Sequence, residues 1–499
     1  MANLTIFGLT QLTSAGANMS TDLVPVWDND VAETKKMTLS DLRNLMSPVN
    51  WSDSFSSATQ ATSSWTPNNA AATVNAAIVP KGGGALIASI PNGTATGGNA
   101  RGSYAVDLQM VRNAATQVAS GTYSVIVGGI NNTATNDHCF IGAGWANSTT
   151  GARGVIGGGE GNSAATAVYQ TIAGGAGNSI NGNGSRGFIG GGGSNSVTQT
   201  YATVVGGQSN TASGQHSFVG GGQSNTASGE HAFIGSGNQN SASTRSAVGG
   251  GQQNSASPEL AFIGGGYLNS ITGGNHYSFI GSGRQNQGRA QFTAIGGGDN
   301  NYNGGYAGFL GGGAYNRVSA SYATVPGGYR GNAELYGQVA HASGTFGRNG
   351  DAQAHELIWR RDVTGTAQTE LFLDGASIAS VIPWSDQPNP ATVWHGTIDV
   401  CAMCVSTGNG TTVFGDVEAT SYKVTIKRYG YPTYNTVLVG TVQEIGTTNA
   451  DASMATSVFT IDNNDTNESL RIRFTPPTTA GSTTVIYTMA TFRGLQILY

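Results

Sequence analysis

The chain has 499 residues, 77 of them Gly, with only 10% charged residues and a formal net charge of −5. That length exceeds one compact core and bounds several domains, while the acidic balance excludes the basic surface that nucleic-acid binding needs. No run of ~18 apolar residues is present to cross a membrane as a helix, and the opening MANLTIFGLTQ lacks the charged and apolar parts of a leader. The expectation is a protein made soluble in the cytoplasm, with no membrane insertion and no cofactor.

Residues 1–50 read as a small α/β unit. A strand is expected over 23–28, ended by the turn-prone Asp28-Asn29-Asp30. Thr38 then caps a helix with Asp41 at its third position; Leu39, Leu42, Leu45 and Met46 make one apolar stripe, and Pro48 stops it. Such a piece is too small to stand alone and must dock or associate. Residues 51–120 read as a Ser/Thr/Ala-rich linker or shaft, with a strand over 85–90 and a segment at 104–110 that caps the first coil of a repeat array.

Residues 121–335 repeat one phrase, as in SFVGGGQSNTASG (217–229) and AFIGSGNQNSAST (232–244). An Asn marks the phase from Asn132 to Asn316, at steps of 14 to 17 residues, which is a solenoid period. Six residues before each marker stands an aliphatic, such as Ile126, Val219 or Leu310. Seven before it is often Phe: Phe140, Phe188, Phe218, Phe233, Phe262, Phe279 and Phe309. Both faces of that strand are therefore apolar, which implies burial on both sides. A coil this thin covers one face, and the other is assigned to neighbouring chains. Glycines supply the tight corners, and marker asparagines stacked ~4.8 Å apart are expected to form an amide ladder in a rod of roughly 60 Å. Glu230, Arg245 and Glu259, on successive coils, alternate in sign as a ladder of ion pairs would.

The array decays after Asn316, with Gly331 where the next marker belongs. Residues 336–390 read as a β connector with strands at 356–360 and 370–373, closed by the two prolines of Pro388-Asn389-Pro390. Residues 391–499 read as a β-sandwich with strands at 393–405, 411–414, 422–428, 436–444, 457–461, 470–474 and 484–497.

Candidate sites are few. His138, His216 and His231 share one column, but no carboxylate completes a metal-ligand set there, and exposed polar corners are the preferred reading, with no metal. Cys401 and Cys404 form a lone C-x-x-C without a second ligand pair. GNGSRG at 182–187 opens no helix, so it is no nucleotide loop. Glu160, Glu230, Glu259 and Asp299 are mostly far apart in the array, and no nucleophile elbow exists, so no enzyme activity is expected. Trp394, Tyr429, Tyr431 and Tyr434 form a candidate receptor-binding patch, weighed equally against packing in the sandwich core.

Three stretches carry a resemblance to known families. The words DLVPVWDNDVAETKKMTLSDLRNLM (22–46) resemble the N-terminal segment of tailed-bacteriophage tail fibres, which implies virion anchoring through Trp27, Leu39, Leu42 and Leu45. The Gly/Asn-rich array resembles that of marine and cyanobacterial phage fibres and, more loosely, the β-roll head of trimeric autotransporter adhesins, which implies a homotrimer and adhesion. The phrase Gly350-Asp351-Ala352-Gln353 resembles the connector after such arrays. The resemblance implies a mainly β, trimeric tail fibre of a phage infecting an aquatic host. It would be anchored to tail or baseplate proteins and would bind a host surface glycan at its distal domain. The alternatives are a tailspike glycan depolymerase and a bacterial trimeric surface adhesin.

Overall fold

A computed structural model describes residues 80–499 except 274–275, 347, 382–390, 430–434, 465 and 499, and the backbone of five strands nearer the N-terminus. The chain divides into two units, Met1–Gly82 and Gly83–Tyr499. Among the described residues there is no helix.

In the first unit, Leu4–Ile6, Leu23–Asp28 and Glu33–Thr38 form an antiparallel sheet with Leu23–Asp28 central. The strand expected at 23–28 is present. The expected helix, with Leu39, Leu42 and Leu45, lies outside the described residues, and Thr38 ends a strand. The stretch read as a linker contains an antiparallel pair, Val49–Ser57 with Gln60–Pro67. Its Thr, Phe and Trp content favours pleated backbone over open coil.

The second unit begins as a parallel β-solenoid. Two-residue strands stack in register from Leu86–Ile87 and Val106–Asp107 through to Thr324–Val325 and Val339–His341. A second set, Thr133–Ala134 to Asn332–Ala333, forms a 14-stranded parallel sheet. One coil shows why the phrase folds this way. Phe218–Val219 is a strand with Val219 inward and fully buried. The chain then turns at Gly222, where φ is +88° and an added Cβ would stand 2.0 Å from the Gly237 carbonyl oxygen of the next coil. Only Gly fits both demands. Gln223 bridges its neighbours Gln208 and Asn238, Ser224 is left-handed with φ 57°, and Asn225 begins the return through Thr226–Ala227, with Ala227 buried.

The expected amide ladder is present and buried. Asn225 Nδ2 donates to Asn210 Oδ1 (3.1 Å), to Gly221 O (2.9 Å) and to Gly237 O (2.8 Å), while its Oδ1 accepts the Asn240 N–H (2.9 Å). Each marker thus satisfies backbone groups of its own coil and the next, which is what a buried polar backbone at a corner requires.

Both ends of the ladder are closed by polar side chains. At the first, Asp107 occupies the aliphatic column between Ile87 and Ile126 and is buried against Arg101 (2.7 Å) and Arg112 (3.9 Å). Burial lowers the Arg112 pKa, and the Asp107 charge opposes that shift. Gln109 Oε1 receives the Asn132 N–H at 2.6 Å. At the other end Gly331 N–H donates to Asn316 Oδ1 (2.8 Å). Gln353 holds both the N–H (2.8 Å) and the C=O (2.9 Å) of Asn332. Asp351 accepts the N–H groups of Phe346 (3.0 Å) and Arg348 (2.7 Å). The phrase at 350–353, whose chemistry the sequence left open, is therefore a cap.

The solenoid continues directly into a terminal β domain. Val339–His341 pairs with Ala352–Thr364, and the large antiparallel sheet runs on through Val485–Leu498, Ala391–Ser406 and Val417–Tyr429 to Thr436–Leu438 and Gln443–Ala450. A smaller sheet places Val458–Asn464 on one side of Ser469–Thr475 and the short Thr369–Glu370 and Ser380–Val381 on the other. The two sheets share a core that includes Trp359, Trp394, Ile426, Phe474 and Phe492. Most expected strands recur, but the one expected over 436–444 is split into Thr436–Leu438 and Gln443–Ala450, and the one over 370–373 is reduced to Thr369–Glu370. Residues 411–414 form a loop that ends at the left-handed Gly415. The connector strand pairs along all of Val485–Leu498, so it is built into the terminal domain.

Candidate functional site

Of the four residues proposed to meet a receptor, Trp394 requires correction. It falls on an inward position of Ala391–Ser406 and is fully buried. Its indole N–H donates to Gln496 Oε1 at 2.9 Å, and its ring packs on His355 and Phe492. Indoles are buried where the N–H finds a partner, so Trp394 is core. Tyr429, last in its strand, is exposed, with the Lys427 ammonium 4.2 Å from its ring centre. Tyr431 and Tyr434 lie outside the described residues. Trp27 is in Leu23–Asp28, of which the backbone alone is described.

The cysteines do not converge: Cys401 is exposed and Cys404 is buried, on opposite faces of one strand. Residues 182–187 form the corner between Ser179–Ile180 and Phe188–Ile189. The charge ladder is half formed: Arg245 pairs with Glu259 at 2.6 Å, while the Glu230 carboxylate meets His231 at 3.3 Å.

The histidine column belongs to a longer feature that the sequence reading missed. His138, His216 and His231 stand at a left-handed corner, φ 56–57°, in a column with Tyr104, Tyr123, Arg153, Tyr169, Arg186, Tyr201, Arg245, Tyr277, Phe292 and Tyr322. Tyr201, His216 and His231 stack with ring centres 5.0 and 4.9 Å apart. Tyr104–Tyr123 and Tyr277–Phe292 do the same, and Arg186 lies over both Tyr169 and Tyr201. Left-handed backbone is costly for such residues; mutual stacking of planar groups offsets it. Extra or missing residues between marker and corner shift the spacing, and this hid the column. Two residues along the chain from this corner are the phenylalanines, of which Phe140, Phe188, Phe233, Phe262, Phe279 and Phe309 are exposed.

In the terminal domain the large sheet carries a cavity of about 600 Å³ on its outward side. Its walls include Asp399, Ser421, Asn449, Met489, Thr491 and Arg493. Arg493 Nε lies 3.2 Å from Glu356, its Nη1 3.9 Å from Asp399, and Asp399 accepts the Ser421 hydroxyl at 2.6 Å. These residues come from strands far apart in sequence, so no local motif announces them.

Beside it, at the sheet edge, two carboxyls are pushed apart. Burial raises the Glu418 pKa; the Ser457 hydroxyl bond lowers it and the Glu444 charge raises it further. Glu444 is held low by the hydroxyls of Thr448 and Thr420. Tyr422, on the strand of Glu418 and paired across to Glu444, is pushed up to about 12 by burial and by both carboxylates.

No family model matches the chain, and no curated protein matches it. Solved structures do, among them two phage tailspikes. The tailspike protein of Acinetobacter baumannii phage AM24 is 9% identical, with 71% of this chain and 72% of that chain covered and a TM-score of 0.22. The tailspike gp49 of Acinetobacter baumannii bacteriophage Fri1, described as a capsular polysaccharide depolymerase, is 8% identical, with 74% and 79% covered and a TM-score of 0.14. The description of that second protein as a depolymerase runs against the expectation of no enzyme activity, while the likeness itself, at a TM-score of 0.14, assigns this chain no activity.

Proposed function

We propose that this chain is a tail fibre, or tailspike-like receptor-binding protein, of a tailed bacteriophage of an aquatic host, and that it attaches the virion to a host surface polysaccharide. One observation carries the reading: a solenoid with an exposed Phe column runs through a shared sheet into a terminal domain with an open cavity. Three chains would associate through the Phe column. From Phe140 to Phe309 that column extends over about 53 Å at ~4.8 Å per coil. Even ~10 Å wide, it covers about 500 Å², at the upper end of what monomers expose and more than half of the ~800 Å² per partner of a stable interface. Residues 1–50, with Trp27, Leu39, Leu42 and Leu45, would hold tail or baseplate proteins, and Tyr429, Tyr431 and Tyr434 would stack on sugar. Three weak sites on one rod, on several fibres per particle, raise avidity without new contacts.

The test is adhesion of labelled full-length protein to a panel of aquatic bacteria, before and after periodate oxidation of their surface glycans. Binding to at least one strain, lost on oxidation, is expected; absence of binding to every strain overturns the reading. A second reading, glycan cleavage, would place its acid–base work on Glu418 and Glu444, of which Glu444 is exposed and Glu418 is buried against Ser457. It predicts new reducing ends from the polysaccharide of a strain that binds, and their loss in Glu418→Gln.

A further inference from the structure

Crossing the large sheet from the solenoid outward, its outer face changes character. Beside the solenoid it is apolar, with Leu495, Ile497 and Phe346 exposed. Both strand faces stay in register from Val339–His341 into Ala352–Thr364 and Val485–Leu498, so this face continues that of the Phe column, with the Glu356–Arg493 pair directly across from Val339 and the apolar residues beside it. Further out Asp399 pairs in register with both Thr491 and Ser421, and the surface becomes polar. There Gln443–Ala450, exposed at every residue, runs along the edge. It pairs with Val417–Tyr429 at Tyr422↔Glu444 and Ser421↔Ile445, then again at Ala419↔Asn449, with the register broken between. Residues 446–448 arch out at that break, and Gly446 takes φ +84°. Bulges of this kind re-aim side chains and cluster beside binding sites. The arch walls the cavity on one side.

We propose that this cavity binds a short stretch of neutral, hydroxyl-rich glycan. The inference rests on the attachment reading and names a contact separate from the tyrosine loop, roughly 25 Å along the strand from Tyr429 at ~3.3 Å per residue. Charge decides the ligand class. Among the described residues the one cation in the cavity wall, Arg493, is already faced by Glu356 and Asp399. A uronic acid or phosphorylated sugar would find no uncompensated cation there and would meet the Asp399 carboxylate. A vicinal diol, which both donates and accepts, matches the Asp399 carboxylate, the Thr491 hydroxyl and the Asn449 amide. Met489 and Ile445, each about half exposed (49% and 46%), give the C–H face of a sugar an apolar floor. The volume lies within the ~300–1,000 Å³ of small-ligand sites, and the polar groups stand largely on paired strands, which hold them better than loops do.

The experiment titrates full-length protein with neutral and uronate-containing oligosaccharides from the surface polysaccharide of a strain that binds. It repeats titration and cell adhesion with Asp399→Ala, Met489→Ser and Tyr429→Ala, each with a wild-type melting curve. Neutral fragments should bind the wild type, with at least tenfold weaker binding in Asp399→Ala and Met489→Ser. Wild-type affinity in both cavity variants, or preference for uronate fragments, overturns the proposal while attachment stands. So does a loss confined to Tyr429→Ala. A wild type that adheres to no cells overturns attachment itself.

Discussion

The solenoid and the terminal domain are both β, yet they hold themselves together by opposite means. In the solenoid coil after coil repeats the same kinds of bond to its two neighbours, as when Asn225 reaches Asn210 in the coil before and Gly237 in the coil after. In the terminal domain single contacts join distant parts of the chain, such as Trp394 with Gln496, 102 residues away. A repeat array spreads stability over nearest-neighbour terms, whereas a sandwich core concentrates it in a few large side chains. The solenoid also leaves one face apolar along its length, while the outer face of the terminal sheet turns polar away from it.

The largest expected effect breaks the shared apolar face. Phe218→Glu with Phe233→Glu sets carboxylates on adjacent coils in the exposed column. Light scattering should report one chain's mass in place of three; an unchanged oligomer would remove the assembly reading. Next, Trp394→Ala deletes a fully buried aromatic of the terminal core and should cost about 3–5 kcal/mol in urea melts, with the solenoid transition unmoved. Asn225→Leu strands the Asn240 N–H and the Gly221 carbonyl, while Gly237 O keeps the Gln223 N–H. It should cost about 3 kcal/mol, since each buried group left unpaired costs ~1–3 kcal/mol. Circular dichroism should show a broadened transition and no wholesale unfolding.

A pH series sharpens the contrast further. His355 sits where the two regions join, with Nδ1 3.0 Å from Gln338 Nε2, and burial pulls its pKa down to about 3. The folded state therefore keeps the ring neutral while the unfolded chain takes up a proton near pH 6.5. Stability that is complete above pH 6.5 is lost as pH falls towards 3, at about 1.4 kcal/mol per pH unit. Between pH 7 and 4.5 His355→Gln should lose about 2–3 kcal/mol less than wild type in the terminal-domain transition. The smallest effect belongs to Arg245→Ala on the solenoid surface. Its pair with Glu259 is half exposed, and the change should stay within about 0.5 kcal/mol.

These contrasts explain which features were legible in the chain. The coil period, the buried aliphatic column, the Asn ladder and the exposed Phe column were readable because each recurs at nearly constant spacing, and a stacked strand turns spacing into position. The left-handed aromatic corner recurs too, but extra or missing residues just before it blur its column. Most sandwich strands were readable from alternation. The inward or outward turn of Trp394 was not, because it depends on the register of Ala391–Ser406 against Val485–Leu498, and one residue of slip reverses every side chain.

By itself, then, the sequence determined the repeating half of this protein, where every neighbour in space lies about one period away along the chain. Tertiary structure alone decided that Ala352–Thr364 belongs to the terminal sheet and that Gln353 closes the Asn ladder. It alone brought Asp399, Ser421, Asn449 and Arg493 around one cavity. Those neighbours come together through pairings between distant strands, and no local pattern of residue types encodes which strands meet.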